Sequence, residues 1–324
     1  MTKTKIAFGL IGAAFGTALA FAPAAHAANI PCGTAKFVVP WNAGGDTDIV
    51  FRLVINAINE SGAKPKLQIV NIGGQSGNKG AKEVMAAKPD GCTLLAIHES
   101  VITTHMAGRI DFTWSAFEPV ARVTYTPSVL GANSKAPFST IPEMIAYAKK
   151  NPGAVRVGVT TGSTSQFMNL IIEDESGTSF KYVPYEGTRE RLTALLSHNV
   201  DVGEINILTA KKYIAEGSMK ALGIATEKRD PIIPDLKTMK EQGLNVVYGL
   251  HRGVVLPKGA KKDVVKHYEA MFEKAMNDPK VVKALDEKGT WRVFLNAEDY
   301  ATFLTKSFKE HEKVAIKIGM YKKK

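Results

Sequence analysis

Short apolar runs and longer segments of helical periodicity alternate along most of the chain. The apolar runs read KFVVP, LQIVN and TLLAIH in the first third, and then VRVGVT, KYVPY, VDVGEINI and MKALGIA. Between them, residues 47–59 and 78–87 and the segments PEMIAYAKKNPG and TRERLTALLSH have the spacing and stop signals of helices. This alternation predicts an α/β protein in which helices cover parallel sheets. The last part of the chain, from residue 260 onward, is predicted to be mostly helical.

Two apolar stretches mark where the chain is predicted to cross between two lobes. One covers residues 120–132, and the other reads VVYGLHRGVVL. Two crossings give one discontinuous lobe, residues 28–128 with 250–324, and one continuous lobe, residues 129–249. A chain of 324 residues is long enough for two cores of ordinary domain size.

The amino terminus has the pattern of a secretory signal peptide. The basic start MTKTK precedes the apolar run IAFGLIGAAFGTALAF, and Ala25-His26-Ala27 is a small-x-small cleavage site. We therefore expect residues 1–27 to be removed. The alternative, a membrane anchor, is disfavoured because the apolar run is short and rich in Ala and Gly. Export without an anchor indicates a bacterial periplasm.

The charge indicates which kinds of partner the protein can bind, and the cysteine content indicates whether it can form a disulfide. The formal charge is +11, and loss of Lys3 and Lys5 with the signal leaves +9. The basic residues are spread out rather than clustered with aromatics, which argues against nucleic acid and favours attraction of small anions. Cys32 and Cys92 each precede an apolar strand-like run. In an oxidising compartment they are disulfide candidates, with two buried free thiols as the alternative.

Two glycine-rich turns follow the first two predicted strands. The first contains Gly44 and Gly45 and the second reads NIGGQSGNKG, each directly before a predicted helix. Bare backbone N–H groups at a helix start can bind a carboxylate or phosphate, although plain turns would use the same glycines. Neither turn matches the Walker or dinucleotide pattern, so no nucleotide cofactor is predicted.

Other polar clusters do not require catalysis or a metal. His98, Glu99 and Ser100 end the third strand, but HESVITTH lacks the spacing of the H-E-x-x-H zinc motif. The hydroxyl-rich segment at 160–166 is either an N-cap cluster or a ligand-facing loop. Asp46 and Asp48 at a helix start are explained by capping. No G-x-S-x-G nucleophile elbow occurs, so the sequence predicts no enzyme, no cofactor and no metal site.

Four blocks of the sequence resemble a known family. They are VVPWNAGGDTDIVFR, NIGGQSGNKGAKEVMAAKPDGCTLL, FEPVARV with IPEMIAYAKKNPG, and VPYEGTRERLTALLSHNVDV; ALGIATEKRD, IPDL and GVVLPKG extend the match. The chain is similar to the extracytoplasmic receptors of tripartite tricarboxylate transporters, the Bug or TctC family. The resemblance implies a type II periplasmic-binding-protein fold of two α/β lobes, in which the two glycine turns hold a ligand carboxylate, partly through water. Cys92 stands where a tyrosine is common in this family, which fits the disulfide.

The resemblance also implies a set of ligand-binding residues. They are Trp41, Asn42, Ala43, Gly44, Gly45, Asp48, Gly74, Gln75, Ser76, Gly77, His98, Ser100, Thr161, Ser163, Thr164, Ser165 and Asp201. Arg252, Asp46 and Glu99 are further candidates for the distal end of the pocket. A basic group there would favour a second carboxylate, whereas an acidic one would receive an ammonium, and an aromatic acid could pack on Trp41.

The function implied is non-catalytic capture of an organic carboxylate and its delivery to the permease subunits of a membrane transporter, by a monomeric protein. A ligand-sensing subunit for a membrane sensor kinase is one alternative, and an enzyme on the same fold is another. The sequence leaves open whether the ligand is a di- or tricarboxylate, an amino acid or an aromatic acid.

Overall fold

The structure, a computed structural model, describes residues 28–321. The predicted signal peptide lies outside these residues. None of the helices between residues 28 and 321 is long and apolar enough to cross a membrane.

The described part of the chain contains eleven strands and ten α-helices, which alternate over most of its length. The strands are β1 Thr34–Val39, β2 Lys66–Asn71, β3 Thr93–Ile97, β4 Phe117–Pro127, β5 Val129–Asn133, β6 Arg156–Val159, β7 Lys181–Pro184, β8 Val202–Ile205, β9 Met219–Ile224, β10 Gly249–Pro257 and β11 Trp291–Leu295. The helices are α1 Asp46–Glu60, α2 Asn78–Met85, α3 Ser100–Met106, α4 Ile141–Lys150, α5 Thr164–Ser176, α6 Thr188–Leu196, α7 Ile207–Ala215, α8 Lys262–Met276, α9 Pro279–Asp286 and α10 Ala297–Lys317.

The first sheet has the order β11-β4-β10-β3-β1-β2 and forms the first lobe with the helices packed on it. β1 pairs in parallel with β2 and β3, whereas β10 is antiparallel to both β3 and β4. The predicted α/β class is confirmed, whereas the parallel sheets expected from the alternation are mixed sheets. The reason is that β4 leaves this lobe and β10 returns to it at the same place, so the two neighbours run in opposite directions. The edge strand β11 lies in a segment that the sequence predicted as helical.

The second sheet has the order β7-β6-β8-β5-β9 and forms the second lobe. β6 is parallel to β7 and β8, and β5 is antiparallel to β8 and β9. The result is an α/β protein of two lobes. We keep the lobe limits 28–128 with 250–324, and 129–249, as a proposal.

Aromatic packing fixes the helices on the first sheet. Phe37 of β1 contacts Phe51 of α1, with ring centroids 4.9 Å apart, and Phe272 of α8 at 6.1 Å. All three side chains are fully buried. Burying an aromatic side chain contributes on the order of 2–3 kcal/mol. These contacts hold α1 rigidly against the strand whose carboxyl end it follows.

The long helix α10 connects the two lobes. It packs against β4 and β11 of the first sheet. Near its end, the ring of His311 stacks on Phe167 of α5, with centroids 5.1 Å apart. Lys317 of α10 forms ion pairs with Asp174 and Glu175 of α5. The C-terminal helix is thus a third attachment between lobes, beside the two strand crossings.

The disulfide candidates are bonded to each other. Cys32 and Cys92, which are 60 positions apart in sequence, form a disulfide bond. Each cysteine precedes a strand, and β1 and β3 are parallel neighbours in which Lys36 is paired with Thr93. The bridge therefore lies at the amino ends of these strands.

Candidate functional site

A cavity lies between the lobes, where the carboxyl ends of β1, β3, β6 and β7 meet. This is the usual ligand position in open α/β sheets. The empty space amounts to about 490 Å³, counting its opening to solvent. It is lined by Trp41, Asn42, Gly45, Asp46, Thr47, His98, Thr160, Ser163, Thr164, Ser165, Gly187, Thr188, Arg189, Glu190, Arg191, Glu204, Leu250 and Arg252.

Three helices begin at this cavity. The residues at their N-caps, Gly45 of α1, Ser163 of α5 and Gly187 of α6, all line it. None of these three N-cap residues makes a side-chain capping bond within the described chain. The first N–H groups of a helix have no intrahelical acceptor, and the helix dipole makes this end positive. The cavity therefore receives the amino ends of three helices, which can donate to an anion, although Asp46 and Glu190 place carboxylates in the first turns of α1 and α6.

Arg252 of β10 is a fully buried cation at the cavity. Its Nε donates to Thr47 Oγ1 at 3.0 Å and its Nη1 to Thr126 Oγ1 at 2.6 Å. Its Nη2 has no partner among the described residues, and no described carboxylate lies within ion-pair distance. Burial lowers the pKa of Arg252, but an arginine stays protonated in proteins. Asp46, Glu99 and Glu204 attract this charge without forming an ion pair with it among the described residues, so Arg252 offers an unpaired donor, Nη2, to a ligand.

Arg191 of α6 is the corresponding cation of the second lobe. Its Nη1 donates to Thr160 Oγ1 at 2.9 Å, and its Nη2 lies 3.7 Å from Glu204 Oε2. Its Nε has no partner within residues 28–321. Glu204 also accepts a short hydrogen bond from Ser128 Oγ, and burial raises the pKa of Glu204. Each lobe therefore contributes one buried arginine.

Two acidic side chains at the cavity are held by amides from the opposite lobe. Asn42 Nδ2 donates to Glu190 Oε1 at 2.8 Å, and Asn206 Nδ2 donates to Asp46 Oδ1 at 2.8 Å. The second carboxylate oxygen of Glu190 is buried and has no partner in the described chain. The cavity is therefore mixed in charge, with an acceptor left free among the donors.

The first glycine turn is organised by Asp48. Its carboxylate accepts bonds from Gly44 N–H at 2.9 Å, Arg52 Nε at 2.8 Å and Asn71 Nδ2 at 2.8 Å. Burial alone would raise the pKa of Asp48, but these donors hold it below its usual value. Gly44 adopts φ +81°, which favours glycine. The Gly44 N–H is thus used inside the turn, and the ligand-facing end is the start of α1.

The second glycine turn contacts the opposite lobe rather than the cavity. Ser76 Oγ donates to the Thr161 carbonyl oxygen at 2.6 Å, across the interface between lobes. Gly77 leaves room for the indole of Trp41, because a Cβ at Gly77 would lie 3.0 Å from Trp41 Cζ2. This turn therefore supports the aromatic wall and the closed arrangement of the lobes.

The aromatic wall consists of Trp41 stacked on His98. The ring centroids are 4.3 Å apart and the planes differ by 11°. Burial lowers the pKa of His98 to about 3, so the ring is neutral at physiological pH. Its Nδ1 accepts from Ser100 N–H at 3.2 Å. The neighbouring Glu99 turns away and contacts His251 Nδ1 at 2.7 Å.

The model of the family described as tripartite tricarboxylate transporter family receptor matches residues 50–320. The chain belongs to this family. It is therefore a substrate-binding receptor and not an enzyme, with the two-lobed fold of periplasmic binding proteins.

Individual relatives of this receptor match along nearly their whole length. A UPF0065 protein from the gbd 5' region of Cupriavidus necator is 28% identical over 324 residues, which cover 97% of this chain and 96% of the relative. The periplasmic binding protein BugD superposes with a TM-score of 0.82 at 27% identity, over 90% of this chain and 99% of that one. MatC from Rhodopseudomonas palustris, solved with bound malate, gives a TM-score of 0.80 at 28% identity, over 87% and 98%.

The predicted site residues of this receptor divide into two groups. Those that line the cavity are Trp41, Asn42, Gly45, His98, Ser163, Thr164 and Ser165. Those outside its lining are Ala43, Gly44, Asp48, Gly74, Gln75, Ser76, Gly77, Ser100, Thr161 and Asp201. Asp201 precedes β8 at the end away from the cavity and pairs with Arg156 at 2.7 Å.

Several lining residues were not predicted as ligand-binding. Glu190 and Arg191 belong to EGTRERL, a charged run between a strand and a helix, which was a usable signal. Glu204 gave no such signal, because it lies inside the apolar strand β8. Within residues 28–321, no cluster of three or more His, Cys, Asp or Glu side chains is arranged to hold a metal ion.

Proposed function

We propose that this receptor captures a small organic carboxylate in the cleft between its lobes and delivers it to the permease subunits of a tripartite membrane transporter. The observation that carries the proposal is the convergence of three uncapped helix ends on one cavity that also holds Arg252. Together they supply donors and positive potential for a ligand carboxylate. The structural similarity to malate-bound MatC supports this class of ligand.

Lobe closure is the step that we propose the permease detects. Hydrogen bonds such as Asn42 to Glu190, Arg189 to the Ala43 carbonyl and Ser76 to Thr161 join the lobes around the cavity. These contacts exist when the lobes are closed, and a ligand that contacts both lobes favours that state.

We further propose that residues 1–27 direct export to the periplasm, in keeping with the family, and that the mature protein acts as a monomer. The predicted residues that line the cavity, together with Thr47, Thr188, Arg191 and Arg252, form the proposed ligand-binding set.

Thermal denaturation of the mature protein against a panel of carboxylates tests the function. A ligand that binds the native state, present at 100 times its dissociation constant, adds about 2.7 kcal/mol of stability and raises the melting temperature. We expect a shift with at least one class of acid. Mass spectrometry of the supernatant after denaturation serves as the control for a co-purified ligand. Absence of both a shift and a released acid would contradict the proposal.

A further inference from the structure

Three buried polar atoms in side chains that line the cavity have no hydrogen-bond partner among the described residues. They are Nη2 of Arg252, Nε of Arg191 and Oε2 of Glu190. Buried polar atoms are nearly always satisfied in folded proteins, and leaving one unpaired costs about 1–3 kcal/mol. Two of the three are donors on cations, and the third is an acceptor on a carboxylate. Their polarity is complementary to a ligand that carries an anionic acceptor and a donor.

We propose that the ligand is a carboxylate that also bears a hydroxyl or ammonium group, which narrows the ligand class of the proposed receptor function. The carboxylate is received by Arg252 and Arg191, and the donor group by Glu190. Arg252, Arg191 and Glu190 are thus the residues that determine specificity.

Each arginine keeps an unpaired donor that can take an anion from outside the protein. Arg252 is 0% exposed and its two used nitrogens donate to neutral threonine hydroxyls. Asp46, Glu99 and Glu204 attract the Arg252 charge but form no ion pair with it among the described residues, so a ligand carboxylate can take the free Nη2 donor. Arg191 comes from the other lobe and has a distant carboxylate, 3.7 Å away, whose pKa is raised by burial. A ligand carboxylate that contacts both arginines therefore bridges the lobes and stabilises closure.

The Glu190 carboxylate requires a donor. Its Oε1 accepts from Asn42, while Oε2 is buried and lies beside Gly187 at the start of α6. No described lysine or arginine lies within ion-pair distance of Glu190. An acid without a donor would leave Oε2 unpaired and buried in the closed cavity. Sites built to hydrogen-bond a substrate group discriminate strongly against analogues that lack it.

Calorimetry on the mature protein with two matched sets of acids tests the proposal. One set is succinate, malate and aspartate, and the other is phenylacetate, mandelate and phenylglycine. Within each set the members share a skeleton and differ in having no donor, a hydroxyl or an ammonium. We expect a donor-bearing member to bind at least about tenfold more tightly than the unsubstituted acid of its set. The hydroxyl and ammonium members show which donor the site takes.

The variant Glu190→Gln separates the role of Oε2 from that of Oε1. The amide oxygen can keep the bond from Asn42, while the amide nitrogen replaces the free acceptor with a donor. We expect the preference for the donor-bearing acid to fall to near unity, with little change in affinity for the unsubstituted acid. A merely structural role for Glu190 would weaken both ligands equally.

The variant Arg252→Met tests whether Arg252 binds the ligand carboxylate. We expect affinity for every acid to fall about 100-fold or more, because a desolvated charge partner is removed. Arg122→Met is the matched control, since Arg122 is also buried in the first sheet but packs over the Phe303 ring and does not line the cavity. The affinity of the Arg122→Met variant for each acid should equal that of the wild type. A melting curve for each variant verifies folding.

The outcomes distinguish the two proposals. Binding of an unsubstituted acid as tightly as its donor-bearing partners would overturn the specificity inference and leave the receptor function intact. Wild-type affinity in Arg252→Met would likewise overturn it. Failure of the whole carboxylate panel and of all six acids to bind, with no co-purified acid released on denaturation, would contradict the receptor function itself.

Discussion

The carboxylate of Asp48 illustrates how a residue outside the cavity can control the site. It accepts bonds from Gly44, Arg52 and Asn71, and its side chain is nearly fully buried. The result is a fixed turn from which α1 begins with its amino end towards the cavity. A polar residue at a helix start was predicted as a ligand contact, whereas its contacts are those of a positioning residue.

We expect Asp48→Ala to lower the free energy of unfolding by about 3 kcal/mol, because three donors lose a charged acceptor. Urea denaturation followed by circular dichroism measures this change. Asp111→Ala, at an exposed aspartate away from the turn, is the control and should stay within about 0.5 kcal/mol of the wild type. An equal stability for both variants would contradict the role given to Asp48.

The stabilisation by Asp48 should depend on pH. The pKa of Asp48 is lower in the folded state than in the unfolded chain, so folding favours its ionised form. The stabilisation is therefore complete above the unfolded pKa of about 4 and is lost as pH falls through the lower folded value. The stability difference between wild type and Asp48→Asn, measured by urea denaturation, should be largest at neutral pH and shrink below about pH 4. A difference that stays constant down to pH 3 would argue against an ionised Asp48.

The residues at the cavity were predictable in part. Trp41, Gly45 and Ser163 are near strand ends, and strand ends can be located from hydrophobic periodicity. Glu190 was not predictable in the same way, because its role depends on Asn42, 148 positions earlier in the chain. Such contacts form only when the lobes close, and no local pattern encodes the relative placement of lobes.

The positions of the strands and helices were predicted better than the directions in which the strands run. The helix–strand alternation gave most strands and helices near their observed bounds, since burial of one face imposes a regular period. The reversal at β10 and the edge strand β11 depend on how the chain returns between lobes, which periodicity does not report. The resemblance implied Asp201 as a ligand contact, and the direction of β8 places this residue at the amino end of the strand. At this end, the Asp201 carboxylate forms an ion pair with Arg156.

The Cys32–Cys92 bridge stabilises the first sheet at the level of elements. It closes a 60-residue separation, so its loss should lower the free energy of unfolding by about 4 kcal/mol in the chain-entropy estimate. Replacing both cysteines with serine and measuring urea denaturation tests this value. Ligand affinity should not change, because the bridge lies at the amino ends of β1 and β3, opposite the cleft. A loss of affinity without a loss of stability would contradict this separation.

At the scale of the whole molecule, closure should be adjustable without damage to either lobe. Asn206 caps α7 through Oδ1 and donates across the cleft to Asp46 through Nδ2. Asn206→Asp keeps the capping oxygen and places two carboxylates together when the lobes close. We expect affinity to fall about tenfold, because a smaller fraction of the molecules is closed.

Small-angle scattering and calorimetry test this variant together. Its radius of gyration at saturating ligand should match the wild type, while more ligand is needed to reach that value. Asn206→Ser, which also caps the helix but adds no charge, should give a smaller loss of affinity. An unchanged affinity in Asn206→Asp would show that the contact with Asp46 does not contribute to closure.

The third attachment formed by α10 restricts how the receptor can open. Two strand crossings alone would let the second lobe both tilt and twist against the first. The aromatic stack of His311 on Phe167 adds a contact that resists shear along the interface, while the exposed ion pairs of Lys317 are weak and screened by salt. We therefore expect relative motion of the lobes to have essentially one degree of freedom, so that a single interlobe distance, measured between two spin labels, describes the whole conformational cycle.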